Sequence, residues 1–583
     1  LILAKNGKIK QTDNARFSHF FVFPVLSMRV IAVIILAFAQ FTFCLAQRDL
    51  GVRPDESGGP LIYEQAAYDV KSYDITIEVI PKEKKIIASS LITAKIVQPI
   101  DWFVVDLKDN FMINEIREGN RQLNFERRAG KLWIKLPMTR QPDDTVAIKI
   151  SYSGEPRVAP RPPWVGGFVW NKTADGSDWI GVACQADGAD LWLPVKDHPS
   201  DKPESVTLHV TVPKGLYVAS IGKLRKIEET KDNKLIFHWY MSNPVNNYNI
   251  TLNIAPYRVM EDEYKSVDGS RFPVIFYALP EHYEKARDII LQAKKFLAFY
   301  EKYLGPYPFR SEKLGIVETP YLGMEHSTII AYGNDFKNNE YGFDWLLLHE
   351  LGHEWWGNLV TNADWKDFWL HEGFQSFMDT LYVEEIAGSE AYFKHMLSRM
   401  KQIRNKQPVA PLTPSFSYQV YMLAPDYLKS DGDIYNKGAY ILHTLRYLIG
   451  DVAFFKALRK MAYPTPAMEK LKNGYQVRFV TTDDFITIAE QESNMKLDWF
   501  FRTYLRQPAL PKLVVKKIDG KTELSWETPD NLEFPMPVEI ELNGKLTRVE
   551  MHRGKALIEN SPSDLKIDPR GWILKIVDFK TQY

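Results

Sequence analysis

The chain has 583 residues, more than one hydrophobic core can organise, so several domains are expected. Its 73 Lys and Arg residues equal its 73 Asp and Glu residues, and zero formal charge argues against a nucleic-acid binder or a protein held on an anionic membrane, both of which carry a basic excess. Hydrophobic residues at 45% and charged residues at 25% are ordinary for a globular protein, and 15 Trp point to large cores and an aromatic-lined cleft.

At the N-terminal end, Met28-Arg29 precedes the apolar run Val30 to Ala39, then Phe43-Cys44-Leu45-Ala46 and polar Gln47. A short basic start, an apolar run and a small residue before a polar switch fit a secretory signal over residues 28–46, cut after Ala46. Residues 1–27 then read as an upstream extension of the reading frame. Export to a periplasm or the exterior is expected. The rival is a single membrane anchor, because Phe20 to Ala46 is mostly apolar. Lipid attachment at Cys44 is disfavoured by bulky Phe43. No later stretch is long and apolar enough to span a bilayer. With the signal removed, Cys184 is the one remaining cysteine, so no internal disulfide forms. No nucleophile motif surrounds it, and it reads as a small buried hydrophobe.

Residues 48–60 read as a linker, and residues 47–256 as a β-rich domain. Tyr73 to Ile80 alternates apolar and polar residues, as does Leu91 to Val97 in part. Trp102–Leu107, Leu132–Leu136, Val146–Tyr152, Val206–Val212, Phe237–Met241 and Tyr248–Ala255 continue the pattern. The stretch Ala183 to Pro194 with Asp197-His198-Pro199 mixes polar groups with aromatics. It has the groups to reach a site, but taken alone it reads as a surface loop. Asn171-Lys172-Thr173 and Asn249-Ile250-Thr251 match the glycan acceptor pattern.

Helical periodicity begins at Glu281 and runs to Tyr303, ended by Gly305-Pro306-Tyr307-Pro308. Leu314–Glu318 and Thr328–Tyr332 read as strands. An edge strand at Gly323–Glu325 would offer backbone groups to an extended peptide.

Next comes His349-Glu350-Leu351-Gly352-His353, within a helix that Asp344 is placed to cap. Histidines four apart share one helix face and can close on one Zn²⁺, while Glu350 beside them is placed to take a proton from water. A second helix, from about Asp367 to Ile386 and stopping near Gly388, carries Trp369-Leu370-His371-Glu372-Gly373-Phe374. Either His371 or Glu372 supplies a third ligand by type, and not both, because adjacent helical residues point about 100° apart. Two His and one Glu would leave a fourth position for water, as catalytic zinc requires. Helices continue to about Leu505. Strands return at Leu513–Val515, Leu524–Trp526, Val538–Leu542 and Ile573–Val577, with a hairpin signal at Asn543-Gly544.

Together these motifs resemble the gluzincin aminopeptidases, the family of aminopeptidase N and leukotriene hydrolase. The resemblance implies an α+β multidomain chain. Its parts would be an N-terminal β-sheet domain (47–256), a thermolysin-like, mainly helical catalytic domain (257–506) and a small C-terminal β-sandwich (507–583). It implies one Zn²⁺ per chain on His349, His353 and Glu372, favouring Glu372 over His371, with Glu350 as general base. Tyr435, in Tyr435-x-Lys437-Gly438-Ala439, resembles the family tyrosine that stabilises the transition state. Leu322-Gly323-Met324-Glu325-His326 resembles the Gly-x-Met-Glu-Asn motif, placing Gly323, Met324 and Glu325 against substrate, with Glu325 on the free amino group and Gln185 assisting. Leu322 for Gly, His326 for Asn, and His371 for the Asn that commonly precedes the ligand Glu are departures. The large helical C-terminal domain of many members has no counterpart here, which implies a more open cleft or one closed by a partner chain.

The implied activity is removal of the N-terminal residue from peptides with a free N-terminus. Zinc endopeptidase action, silent peptide binding and epoxide hydrolysis are the alternatives. The sequence leaves the preferred residue and the oligomeric state open.

Overall fold

The structure, a computed structural model, describes residues 57–185, 187–421, 432–518, 520–559 and 565–581. The expected extension, signal segment and Cys44 lie outside the described residues. Among the described residues, no helix is long and apolar enough to cross a membrane.

The expected α+β arrangement is found. The N-terminal part is built on an eight-stranded sheet. Its strands run in the order Lys223–Glu229, Lys234–Met241, Ser205–Pro213, Tyr68–Ile80, Lys85–Ile96, Thr145–Gly154, Phe111–Glu118 and Arg121–Gln122. Period-two burial drives it: Tyr73, Ile75 and Ile77 are buried, while Asp74 and Thr76 between them face solvent. A three-stranded and a four-stranded sheet complete this part, and the strand Asp178–Ala183 of the latter leads directly into Gln185.

One expected strand is largely absent. Over Tyr248–Ala255 the chain makes a 3₁₀ turn at Asn247–Asn249 and only a short strand, Asn253–Ala255. The asparagines compete with the ladder: Asn246 Nδ2 donates to Gly357 O (3.1 Å) and Asn247 Nδ2 to Lys196 O (2.6 Å). Of the two glycan-type asparagines, Asn171 is exposed and Asn249 is fully buried. Cys184 is free and buried.

The central part begins with a five-stranded mixed sheet, ordered Arg258–Lys265, Arg271–Ala278, Leu314–Glu318, Ile329–Tyr332 and Gly323–Met324. The two-residue edge strand Gly323–Met324 pairs antiparallel with Tyr332 and Ala331. Helices α1 (Ala286–Leu304) and α2 (Trp345–Gly352) pack on this sheet, α3 (Trp369–Met400) packs on α2, and α4 (Asp433–Ile449) packs on α3. The expected helix from Glu281 opens instead as a 3₁₀ turn, Pro280–Lys285. Gly388 breaks α3 with φ +82°, but the helix resumes to Met400, so the glycine marks a kink rather than an end.

The C-terminal part holds a four-stranded and a three-stranded sheet. Asn543 and Gly544, with φ of 50° and 73°, turn the hairpin between Val538–Leu542 and Lys545–Val549. The strand expected at Ile573–Val577 starts later, at Ile576. Ile573 and Leu574 are instead buried, their N–H groups held by Asp568 Oδ2 (3.1 Å) and Thr444 Oγ1 (3.2 Å).

Candidate active site

Helix α2 is buried on most sides, with Leu346, Leu347, Leu348 and Leu351 in the core. Asp344 caps it, accepting from Leu347 N at 3.0 Å. At its last residue, Gly352, α3 and α1 pass so close that only glycine fits: a Cβ there would lie 1.9 Å from Gln375 Oε1 and 2.3 Å from Tyr300 Oη. His353 follows as the cap residue in right-handed helical conformation, so it keeps helical phase with His349. Their Nε2 atoms are 3.3 Å apart.

Glu372, in the first turn of α3, completes a trio. Its Oε2 is 3.6 Å from His349 Nε2 and 3.4 Å from His353 Nε2, and it has no hydrogen-bond donor. Burial alone would raise its pKa, but the two imidazoles outweigh this and hold the carboxyl well below the usual range. His371, the other candidate, turns away, its Nε2 accepting from Asn362 N at 3.0 Å.

The trio fits a zinc ion. A tetrahedral site with bonds of about 2.1 Å has ligand atoms about 3.4 Å apart, close to the three separations here. The outer nitrogens are tied so that Nε2 points inward: His353 Nδ1 donates to Trp356 O (2.8 Å), and His349 Nδ1 faces Asp379 Oδ2 (3.0 Å). Asp379 is held in turn by Arg399, Nη2 to Oδ2 at 3.1 Å. No motif in the sequence marks Asp379 or Arg399. Asp379 had a legible signal, since it lies seven residues after Glu372 and so shares its helix face.

Glu350 is buried beside the trio, and its carboxylate comes within 4.8 Å of His353 and Glu325 in a second cluster. Burial, opposed by His349 but reinforced by Glu325, pushes its pKa up to about 8. Gly323 keeps this carboxylate open, because a Cβ on it would lie 2.8 Å from Glu350 Oε1 and 2.7 Å from Leu346 Cδ1.

Glu325 follows the edge strand and is 3% exposed. Its Oε1 accepts from Gln185 Nε2 and from Tyr248 Oη, the latter at 3.2 Å. Burial raises its pKa. The 183–199 stretch is therefore not the surface loop that its composition suggests when taken alone: Gln185, Asp190 and Trp192 are all buried. Tyr248 was not foreseen, since no motif surrounds it. His326 is fully buried with neither ring nitrogen bonded, and Leu322 is half-buried at the cavity wall.

Tyr435, in the first turn of α4, donates to Glu372 Oε1 at 2.9 Å. Lys437 Nζ anchors the same turn to Gln507 O (3.2 Å) and Pro508 O (2.9 Å). One cavity of about 380 Å³ joins Gln185, Glu325, Glu350, the trio and Tyr435.

Two models of one family match this chain, the Peptidase M1 N-terminal domain over residues 69–248 and the Peptidase family M1 domain over residues 290–504. The chain belongs to peptidase family M1. Among the relatives, "Probable aminopeptidase 1" of Saccharolobus solfataricus is 22% identical over 79% of this chain and 56% of its own. "Leucyl aminopeptidase" of the same organism is 24% identical over 67% and 50%. Human "Glutamyl aminopeptidase" is 26% identical over 57% and 34%. The chain thus spans about half the length of the first of these relatives. The M1 zinc metallopeptidase of Deinococcus radiodurans shares the fold, with TM-score 0.61 and 23% identity, over 79% of this chain and 98% of that one. A mutant of it, solved with a Tyr-Ser-Ala substrate, gives TM-score 0.61 at 24% identity over the same shares.

Proposed function

We propose that this protein is a zinc-dependent aminopeptidase that removes the N-terminal residue from peptides. The observation that carries this is the buried Glu325 carboxylate, held by Gln185 and Tyr248 in the same cavity as the His349–His353–Glu372 trio. A buried carboxylate without a cation is costly, and the α-ammonium of a peptide is the cation that fits there.

A zinc ion held by His349, His353 and Glu372 supplies Lewis acidity toward the scissile carbonyl oxygen and toward water. Glu350 takes the proton of the attacking water and returns it to the leaving amine. Tyr435, released from Glu372, donates its hydroxyl hydrogen to the developing oxyanion, a contribution of about 3 kcal/mol. Glu325 and Gln185 bind the ammonium and so set the cut one residue in. Gly323 and Met324 offer backbone to the extended substrate.

The aminopeptidase names of the relatives and the Tyr-Ser-Ala complex of the Deinococcus protein support this reading. Export with cleavage after Ala46 is part of the proposal and rests on the signal-like sequence alone. Aminoacyl amides and their N-acetyl counterparts, with and without a zinc chelator, test the activity. Only the free amines should be hydrolysed, and only without chelator. Cleavage of the acetylated forms at a similar rate would favour an endopeptidase.

A further inference from the structure

Glu325 places a negative charge in the cavity, ready for one end of a peptide. The same cavity is also lined by His395, Ser398, Arg399, Gln402 and Asn436. Burial holds the pKa of His395 down at about 4, so Arg399 is the cation of this group. The kink at Gly388 brings it there. On one straight helix Asp379 and Arg399 would lie about 30 Å apart. Instead Arg399 Nη2 donates to Asp379 Oδ2 at 3.1 Å, so the second half of α3 folds back on the first.

Arg399 keeps donors to spare. Its Nε donates to Thr380 Oγ1 (3.0 Å) and its Nη1 to Asn436 Oδ1 (3.4 Å). With the bond to Asp379 these use three of the five N–H groups of a guanidinium, and the other two have no partner among the described residues. The side chain is 14% exposed where it lines the cavity. Asp379 does not absorb the whole charge either. Its Oδ1 accepts from Gln375 Nε2 at 2.9 Å, and its Oδ2 also faces His349 Nδ1 at 3.0 Å.

We propose that Arg399 binds the C-terminal carboxylate of short peptides, tripeptides above all, a specificity that rests on the aminopeptidase function proposed above. A planar guanidinium matches a carboxylate and is a better anchor for it than a neutral amide. Reach sets the length. Asp379 lies seven residues after Glu372, so the guanidinium it holds stands about 10 Å along α3 from that metal ligand. Two residues beyond the cut carry the carboxylate of a tripeptide about 7 Å past the scissile carbonyl, and a hydrogen bond of about 3 Å covers the rest. The carboxylate of a dipeptide falls short, and that of a much longer peptide lies beyond Arg399.

Hydrolysis of leucyl-glycyl-glycine and of its C-terminal amide by the full-length, zinc-loaded protein tests this. Wild-type kcat/KM should favour the acid by about tenfold or more, with the difference in KM, as one charged hydrogen bond is worth. The ratio should fall to near one in Arg399→Gln and be kept in part in Arg399→Lys. Both peptides are compared in the same protein, so a change in zinc content cancels. A pentapeptide acid and its amide should not differ. Titration calorimetry of the two tripeptides with Glu350→Gln should show the same preference in Kd without turnover. Equal Kd for acid and amide would overturn the carboxylate site, as would a preference that survives Arg399→Gln or appears equally in the pentapeptides. Failure of the wild-type protein to hydrolyse either tripeptide or any aminoacyl amide would instead overturn the aminopeptidase reading, and the calorimetry would still decide the site.

Discussion

The backbone of Gly438 lies against that of Gly373: a Cβ on Gly438 would sit 2.9 Å from Gly373 Cα, and one on Gly373 would sit 3.0 Å from Gly438 Cα. This crossing of α3 and α4 brings Tyr435 within 2.9 Å of Glu372. Gly438→Ala should therefore push the helices apart, because the obstacle is backbone. Overpacking of this kind costs about 1–3 kcal/mol. Urea denaturation should show that loss, and kcat should fall about tenfold or more with zinc still bound. A variant with wild-type kcat and stability would show that the close approach has no consequence.

Glu350→Gln keeps the shape of the side chain and removes its basicity. Turnover should fall by about 10² to 10⁴-fold, the usual range for a lost general base. Zinc content, measured by atomic absorption, should stay at one per chain. Undiminished hydrolysis in this variant would refute the assignment of the base.

Asp379 orients His349 and is held by Arg399. Outer-shell partners of this type are worth about 10–100-fold in metal affinity. Asp379→Asn and Arg399→Met should each lower zinc affinity, the former more, in a chelator competition assay. Equal affinity in all three proteins would show that the two residues serve packing alone.

His443 gives a pH prediction away from the metal. It is buried between Tyr392 Oη (2.7 Å from Nδ1) and Gly571 O (3.1 Å from Nε2), joining α4 to the C-terminal part. Burial depresses its pKa from 6.5 to about 3. The unfolded chain therefore takes up a proton below about pH 6.5 that the folded chain refuses until about pH 3. Stability is full above that window and falls as pH drops through it, by up to about 1.4 kcal/mol per pH unit. His443→Gln, which retains a donor for Gly571, should flatten this slope in urea midpoints measured from pH 7 to 4. An unchanged slope would show that the proton is taken up elsewhere.

The parts of the site that were legible in the sequence are those set by local periodicity. His349 and His353 share a face because the helix is regular, and Asp344 caps it as its position suggests. The choice between His371 and Glu372 was not local. It depends on Asn362 holding His371 and on the Gly373–Gly438 crossing that fixes the phase of α3. Tyr248 and Arg399 were illegible for the same reason, since each acts through a partner distant in sequence, Glu325 and Asp379. In the fold, alternation misplaced the strand at Tyr248–Ala255, where asparagine side chains take over the hydrogen bonding. It also misplaced the start of the last strand, where Thr444 and Asp568 hold the backbone of Ile573 and Leu574.

The central claim is that one buried carboxylate, Glu325, confines hydrolysis to a free N-terminus. The most direct measurement is kcat/KM for an aminoacyl amide and its N-acetyl form in the wild-type protein and in Glu325→Ala, both loaded with zinc. Hydrolysis of the free amine alone is expected in the wild-type protein, with a drop of about 100-fold or more in the variant, in keeping with an unpaired buried ammonium. Hydrolysis of the free amine that survives unchanged in Glu325→Ala would contradict it.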